Sequence, residues 1–178
     1  MTLDNPWTVL ASTKLYEGAF SSLIEHRVRE IYEGGGVIAG TSAGASAMSE
    51  TMLVRGSNSE SFRIGALQMA PGLGLIRNVV IDQHFAERGR IGRLIGAVAQ
   101  NPRMLGIGID EDTAIIVENE KFEVLGSGAV YLLDGTQVTH SNIAEGDSDK
   151  ALSIFDLALH VLGSGDTFDF GSRSPTCK

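Results

Sequence analysis

The chain has 178 residues with 14 Lys plus Arg against 22 Asp plus Glu, a net charge of −8; that is one domain's worth and argues against a general nucleic-acid binder, whose phosphate affinity comes mainly from Lys and Arg. Its 43% hydrophobic and 20% charged residues are globular composition rather than disorder. The apolar runs are too short to span a bilayer, the N-terminus lacks a signal-peptide pattern, and the one cysteine, Cys177, builds neither a disulfide framework nor a metal site, so the expectation is a soluble protein in a reducing cytoplasm.

In chain order, Leu15, Ala19, Leu23, Ile24, Val28, Ile31 and Tyr32 recur at helical spacing and predict an amphipathic helix over 15–33. Gly34, Gly35 and Gly36 end it. Val37–Ala39 reads as a buried strand, Gly40–Gly44 as a turn, and the Ala- and Met-rich 43–50 as a helix. Residues 55–66 read as a polar surface loop. Leu73–Ile76 and Val79–Asp82 read as extended, and 90–100 returns to helical spacing through Ile91, Leu94, Ile95 and Val98. Leu105–Ile109 is a second buried-type strand. Ala114–Val117, Phe122–Leu125, Val130–Leu133 and Gln137–Thr139 then follow at short intervals with Gly, Asn and Asp-Gly punctuation. Together these predict an α/β sheet, largely parallel, with antiparallel additions towards the C-terminus, in a single domain over 1–178.

Gly40-Thr41-Ser42-Ala43-Gly44 fits Gly-x-Ser-x-Gly between a strand and a helix, the context that motif needs. A turn this sharp strains the serine backbone, small neighbours relieve the clash, and the Ser42 side chain stands exposed above the sheet edge. The helix start offers the Ala43 N–H to an oxyanion. Gly-rich turns also cradle phosphates, but no Gly-Lys-Ser/Thr is present and the Walker reading fails.

A serine nucleophile needs a base. His26, His140 and His160 lie on polar or alternating segments. His84 follows the apolar run Val79-Val80-Ile81, at the carboxyl end of a strand, where open α/β sheets place their sites. Asp110-Glu111-Asp112 follows another apolar strand, and a carboxylate from there can orient the imidazole; the spacing alone leaves open which. The order Ser, His, acid disfavours an α/β-hydrolase, which runs Ser, acid, His. Asp82, His84, Glu87, Asp110, Glu111 and Asp112 match no metal signature. In Arg88-Gly89-Arg90-Ile91-Gly92-Arg93, Arg90 and Arg93 share a helical face at i, i+3. They sit at a helix start, where the dipole opposes positive charge. That cost points to a purpose such as bidentate clamping of a carboxylate, the alternative being a solvated basic turn.

GGGVIAGTSAGASAMSE, DQHFAERGRIGRL, GIDEDTA, GAVYLLDG and VTHSNI together resemble the cyanophycinase family, of the serine peptidase group that also contains α-aspartyl dipeptidase. The resemblance runs from about Leu15 to the C-terminus. It implies a three-layer α/β/α sandwich, flavodoxin-like and similar to class I glutamine amidotransferases. It implies an exo-acting serine peptidase, commonly dimeric, without cofactor or metal, that releases β-Asp-Arg dipeptides from cyanophycin, a poly-aspartate carrying arginine on each β-carboxyl. Carried over, Ser42 is the nucleophile, His84 the general base and Glu111 the third triad member, with Asp82, Gln83, Arg88, Arg90 and Arg93 lining the pocket. No nucleic-acid or membrane partner is implied. Family members also carry a longer N-terminal portion with a Gly-Gly-Asp/Asn-Gln loop, which is not recognisable in MTLDNPWTVLAST. The expectation is therefore an N-terminally short family domain, with an α-aspartyl dipeptidase-like enzyme or a truncated, non-catalytic binding module as alternatives.

Overall fold

The computed structural model describes residues 7–11, 23–55, 67–145 and 150–178. In chain order the elements are β1 (Trp7–Ala11), α1 (Leu23–Glu33), β2 (Val37–Thr41), α2 (Ala43–Ala47), β3 (Ser49–Arg55), β4 (Gln68–Pro71), β5 (Ile76–Gln83), α3 (Ile91–Gln100), β6 (Leu105–Ile109), β7 (Thr113–Glu118), β8 (Lys121–Gly126), β9 (Val130–Asp134), β10 (His140–Ser141), β11 (Ile154–Phe155), β12 (Ala158–Leu162), β13 (Thr167–Asp169) and β14 (Ser174–Thr176). The fold is a mixed α/β sheet with helices packed around it. Of the helix read over 15–33, residues 15–22 lie outside the described residues, as does the loop read over 55–66 from residue 56 onward.

The central sheet has the order β12-β9-β6-β5-β3-β4. Its middle strands β3, β5 and β6 run parallel, and β4, β9 and β12 extend it antiparallel on both sides. The pairing of β1 with β2 is also parallel. Every residue of β6 is buried, as expected of a strand covered on both faces. On one face, Val80, Leu53 and Leu133 pack with Leu94, Ala97 and Val98 of α3 and with Phe85. On the other, Val79, Ile81, Ile107 and Leu132 meet Phe122, Val124 and Phe168 from the four-stranded antiparallel sheet β14-β13-β8-β7. Helix α1 buries Val28 against Ile38 of β2.

Three elements differ from the sequence reading. Of Leu73–Ile76, read as extended, residues 73–75 form a bend with Gly74 at φ 63°, held by the Leu73 N–H to the Ala47 carbonyl at 2.7 Å, and β5 begins only at Ile76. The helix read over 43–50 ends at Ala47, and β3 begins at Ser49. Ser49 is fully buried and its hydroxyl lies 2.6 Å from the Ser46 carbonyl and 2.7 Å from that of Thr51. This local side-chain bonding competes with helix continuation, and the sheet takes Thr51–Leu53. Gln137–Thr139 forms no strand; pairing begins at His140. Thr136 N–H instead donates to the Asp134 carboxylate, a turn centred on Asp134-Gly135. Among the described residues, no helix is long and apolar enough to cross a membrane.

Candidate active site

The strand β2 delivers the chain to Ser42, whose backbone has φ 51° and ψ −123°, and α2 departs at Ala43. A left-handed non-glycine residue costs of order 1–3 kcal/mol and persists only where its surroundings hold it. Gly40 makes this turn possible, because a Cβ there would stand 2.5 Å from the Gly44 carbonyl oxygen and 2.7 Å from the Met48 sulfur. Ala45 N–H donates to the Ser42 carbonyl at 3.0 Å, closing the turn behind the side chain.

The partner side chain comes from the end of β5. His84 is also left-handed, with φ 50°, and its Nε2 lies 3.0 Å from Ser42 Oγ. On the far side of the ring, Nδ1 lies 3.0 Å from Glu111 Oε1. The result is a continuous Ser–His–carboxylate relay across residues 42, 84 and 111. The imidazole is about a quarter exposed and the Glu111 carboxylate is 57% exposed, so solvent screens that pair more than it would a buried one.

The three consecutive acids after β6 have three separate attachments. Glu111 reaches His84. The Asp110 carboxylate accepts the Ala86 N–H at 2.9 Å and the Ala129 N–H at 3.2 Å. Asp112 is left-handed, φ 48°, and accepts from the Ser127 hydroxyl at 2.6 Å. Glu87 closes the exchange: its Oε1 accepts the Glu111 N–H at 3.0 Å. The base-bearing turn and the acid-bearing turn thus each hold a backbone N–H of the other, and Phe85 N–H donates to the Ile109 carbonyl between them. The sequence reading does not foresee Asp110 and Glu87 in these roles; the usable signal is an acid one place before Glu111 and another three places after His84, each able to cap a backbone donor of the facing turn. Burial, with Asp110 and Glu87 adding, pushes the neighbouring Tyr131 phenol above its ordinary value.

Beneath His84, Phe85 is 2% exposed. Its ring lies where a Cβ on Gly108 would sit, 2.5 Å from that position, and meets Tyr131 at a centroid distance of 5.1 Å. Gly108 therefore lets the ring lie directly against the β6 backbone.

The residues expected to line a pocket are divided. Asp82 is 0% exposed, and Arg90 and Arg93 are 9% and 8% exposed. Instead of facing outward, the three are turned on one another: Arg90 Nη1 donates to Asp82 Oδ1 at 3.1 Å, and Arg93 grips both carboxylate oxygens through Nε and Nη2. Burial pushes the Arg90 guanidinium below its ordinary value against the pull of Asp82, with Arg93 and Arg88 adding to the depression. Gln83 is half-buried, and its Oε1 is buried without a hydrogen-bond partner among the described residues. Arg88 is exposed. The other histidines are elsewhere: His26 faces Glu30 at 3.3 Å on α1, His140 packs on Phe155 and His160 near Phe168. Among the described residues no three His, Cys, Asp or Glu side chains converge as metal ligands would.

The strained serine turn, the histidine and the glutamate occur in this order inside a stretch, residues 13–125, that matches the sequence model of peptidase family S51. The chain belongs to peptidase family S51. This S51 chain is 43% identical over 168 residues to a cyanophycinase from Trichormus variabilis (strain ATCC 29413 / PCC 7937), covering 93% of the chain and 53% of that protein. It is 40% identical over 141 residues to a cyanophycinase from Synechococcus elongatus, covering 79% and 44%. A third, from Geminocystis herdmanii (strain PCC 6308), is 39% identical over 169 residues, covering 94% and 59%. The chain spans about half the length of the curated relatives it matches. The fold is similar to that of a solved peptidase from an acI-B1 Actinobacterium, with TM-score 0.65 and 21% identity over 93% of this chain and 59% of that one.

Proposed function

We propose that this S51 chain is a serine exopeptidase of the cyanophycinase type, cleaving β-Asp-Arg dipeptides from cyanophycin through an acyl-enzyme. The observation that carries the reading is the relay from Ser42 Oγ to His84 Nε2 and from His84 Nδ1 to Glu111 Oε1, each step 3.0 Å. In this reading the imidazole carries its proton on Nδ1, donated to Glu111, which leaves Nε2 to take the Ser42 proton as Oγ attacks the scissile carbonyl. The Ala43 N–H faces the developing oxyanion from the start of α2. Collapse of the tetrahedral intermediate expels the amine, protonated by His84, and a water activated by the same imidazole then frees the acyl group.

Gln83 and Arg88 are proposed to meet the substrate, with Asp82, Arg90 and Arg93 standing behind them. The unpartnered Gln83 Oε1 is an acceptor that a substrate guanidinium or amide N–H would satisfy, and exposed Arg88 offers positive charge to an aspartyl carboxylate. The kinship with cyanophycinases supports the substrate class. The same resemblance carries the expectation of a cytoplasmic homodimer, checked by light scattering of the purified chain.

Incubating the chain with cyanophycin and following dipeptide release, with Ser42→Ala as control, tests the proposal. Ser42-dependent release is expected. Higher activity on Asp-X dipeptides than on the polymer would move the reading to an α-aspartyl dipeptidase-like enzyme. Failure of Ser42 to react with a fluorophosphonate would remove catalysis from this chain and leave a binding module.

A further inference from the structure

We infer that Asp82, Arg90 and Arg93 are positioning residues, an internal buckle that holds the turn carrying His84 against Ser42, rather than groups that bind substrate, an inference that rests on His84 being the base.

The first support is saturation. A side chain with no exposed surface cannot touch a substrate, and Asp82 has none. Its Oδ1 accepts from the Gln83 N–H at 2.8 Å, from Arg90 and from Arg93, and its Oδ2 accepts from Arg93 Nε. Both carboxylate oxygens are committed inside the protein.

The second support is where the buckle fastens. Arg90 Nη1 also donates to the carbonyl of Gln83, the residue before His84. The Arg90 backbone N–H donates to the Phe85 carbonyl at 3.0 Å, the residue after it. Arg88 N–H donates to the His84 carbonyl at 3.2 Å and Gly89 N–H to the Ala86 carbonyl at 3.0 Å. Arg90 therefore closes the segment 83–90 from both sides of His84, whose left-handed backbone requires outside support. Arg93 stands one turn further along α3 and ties that helix to the end of β5 through the same carboxylate. A buried cluster of this kind holds only while every partner is present, because removing one leaves an uncompensated charge. Loosening it lets the imidazole drift from Ser42 Oγ, and a displacement of about 1 Å costs roughly 100-fold in rate.

Positioning and substrate binding differ in what they demand of the reactant. A positioning defect slows any attack by Ser42, including attack on a small uncharged fluorophosphonate, where the Oγ–P bond forms, fluoride leaves and His84 takes the hydroxyl proton. A binding defect touches only substrates that carry the recognised charge. The experiment compares the full chain with Arg90→Gln and Arg90→Lys by fluorophosphonate labelling rate, by kcat and KM on cyanophycin, and by Tm. In Arg90→Gln, labelling and kcat are expected to fall together by about 10–100-fold with KM within about twofold. In Arg90→Lys, which keeps one charged donor, part of both is expected to return. Labelling of Arg90→Gln at the wild-type rate with KM raised about tenfold or more would overturn the inference in favour of substrate binding. Should Arg90→Gln not fold, Arg90→Lys decides: wild-type labelling with a lowered Tm would reduce the cluster to bulk stability and overturn it. A chain that labels at Ser42 but leaves cyanophycin intact sinks the substrate reading alone, since the labelling comparison still measures positioning. A wild-type chain that does not label sinks both.

Discussion

The turn at Ser42 and the turn at His84 face each other, each follow a strand that pairs in parallel with a neighbour, and hold a left-handed residue, φ 51° in one and 50° in the other. They are supported by different physics. The Ser42 turn is a steric solution: Gly40 vacates the space that the Gly44 carbonyl and Met48 occupy, and short backbone bonds complete it. The His84 turn is a polar solution, fastened below by the Asp82–Arg90–Arg93 cluster and in front by carboxylate-to-N–H bonds from Asp110 and Glu87. A steric turn tolerates almost no substitution and needs no distant partner; a polar turn depends on residues spread from 82 to 129 and fails by degrees.

The largest expected effect is the loss of the Ser42 hydroxyl, the proposed nucleophile. Ser42→Ala should abolish fluorophosphonate labelling and lower kcat on cyanophycin by about 10⁴–10⁶-fold. Next comes the steric turn: Gly40→Ala forces a methyl against backbone, and should both suppress labelling and lower stability by about 1–3 kcal/mol in urea unfolding. Labelling of Gly40→Ala at the wild-type rate would show that the Ser42 turn does not depend on that space. On the polar side, Asp110→Asn turns an N–H₂ towards one of two backbone donors. It should lower kcat by about 10–100-fold with little change in KM. Glu87→Gln keeps an acceptor for the Glu111 N–H and should cost less, within about tenfold. An equal or larger loss from Glu87→Gln would mean that its charge, not its hydrogen bond, matters.

The smallest effect on activity belongs to a site away from both turns. Asp134, 6% exposed, receives Thr136 N–H and Arg173. Burial opposes its charge, but those hydrogen bonds and the Arg173 charge prevail and hold its carboxyl below the ordinary carboxylate range. A folded-state pKa below the unfolded one gives stability that is present above about pH 4 and lost as pH falls through the folded value. Asp134→Asn should therefore lower stability by about 1–3 kcal/mol at pH 7, the gap closing in acid, with labelling of Ser42 unchanged. A gap that persists at pH 2 would assign the loss to packing.

The same contrast explains what the sequence made legible. Gly40, Ser42 and Gly44 lie within five residues, so the steric turn could be read locally, and His84 could be placed at a strand end by the apolar run before it. The work of the neighbouring acids was not local: which of residues 110–112 meets the imidazole follows from the left-handed Asp112 and from loop residues Ser127 and Ala129, two strands later. The spacing of Arg90 and Arg93 suits a pair that clamps a carboxylate, and a carboxylate is what they hold, but it is the protein's own Asp82, eleven residues before Arg93 and on another element. The strands β5 and β6 were visible as apolar runs, whereas the end of α2 at Ala47 depended on the buried Ser49 hydroxyl, which composition cannot show.

The seat of Phe85 against Gly108 carries a consequence in time as well as space. An aromatic ring pressed against the Gly108 backbone and flanked by Tyr131, the residue paired with Gly108 on β9, has little room to rotate in place, since close-packed interiors hold few voids. It turns over only when the segment next to His84 lifts from β6. The flip rate of that one ring, read from the line shapes of its protons in solution NMR, is thus a clock for how often His84 leaves its station beside Ser42, and slow flipping on the μs–ms scale would mark a turn that waits almost always in register.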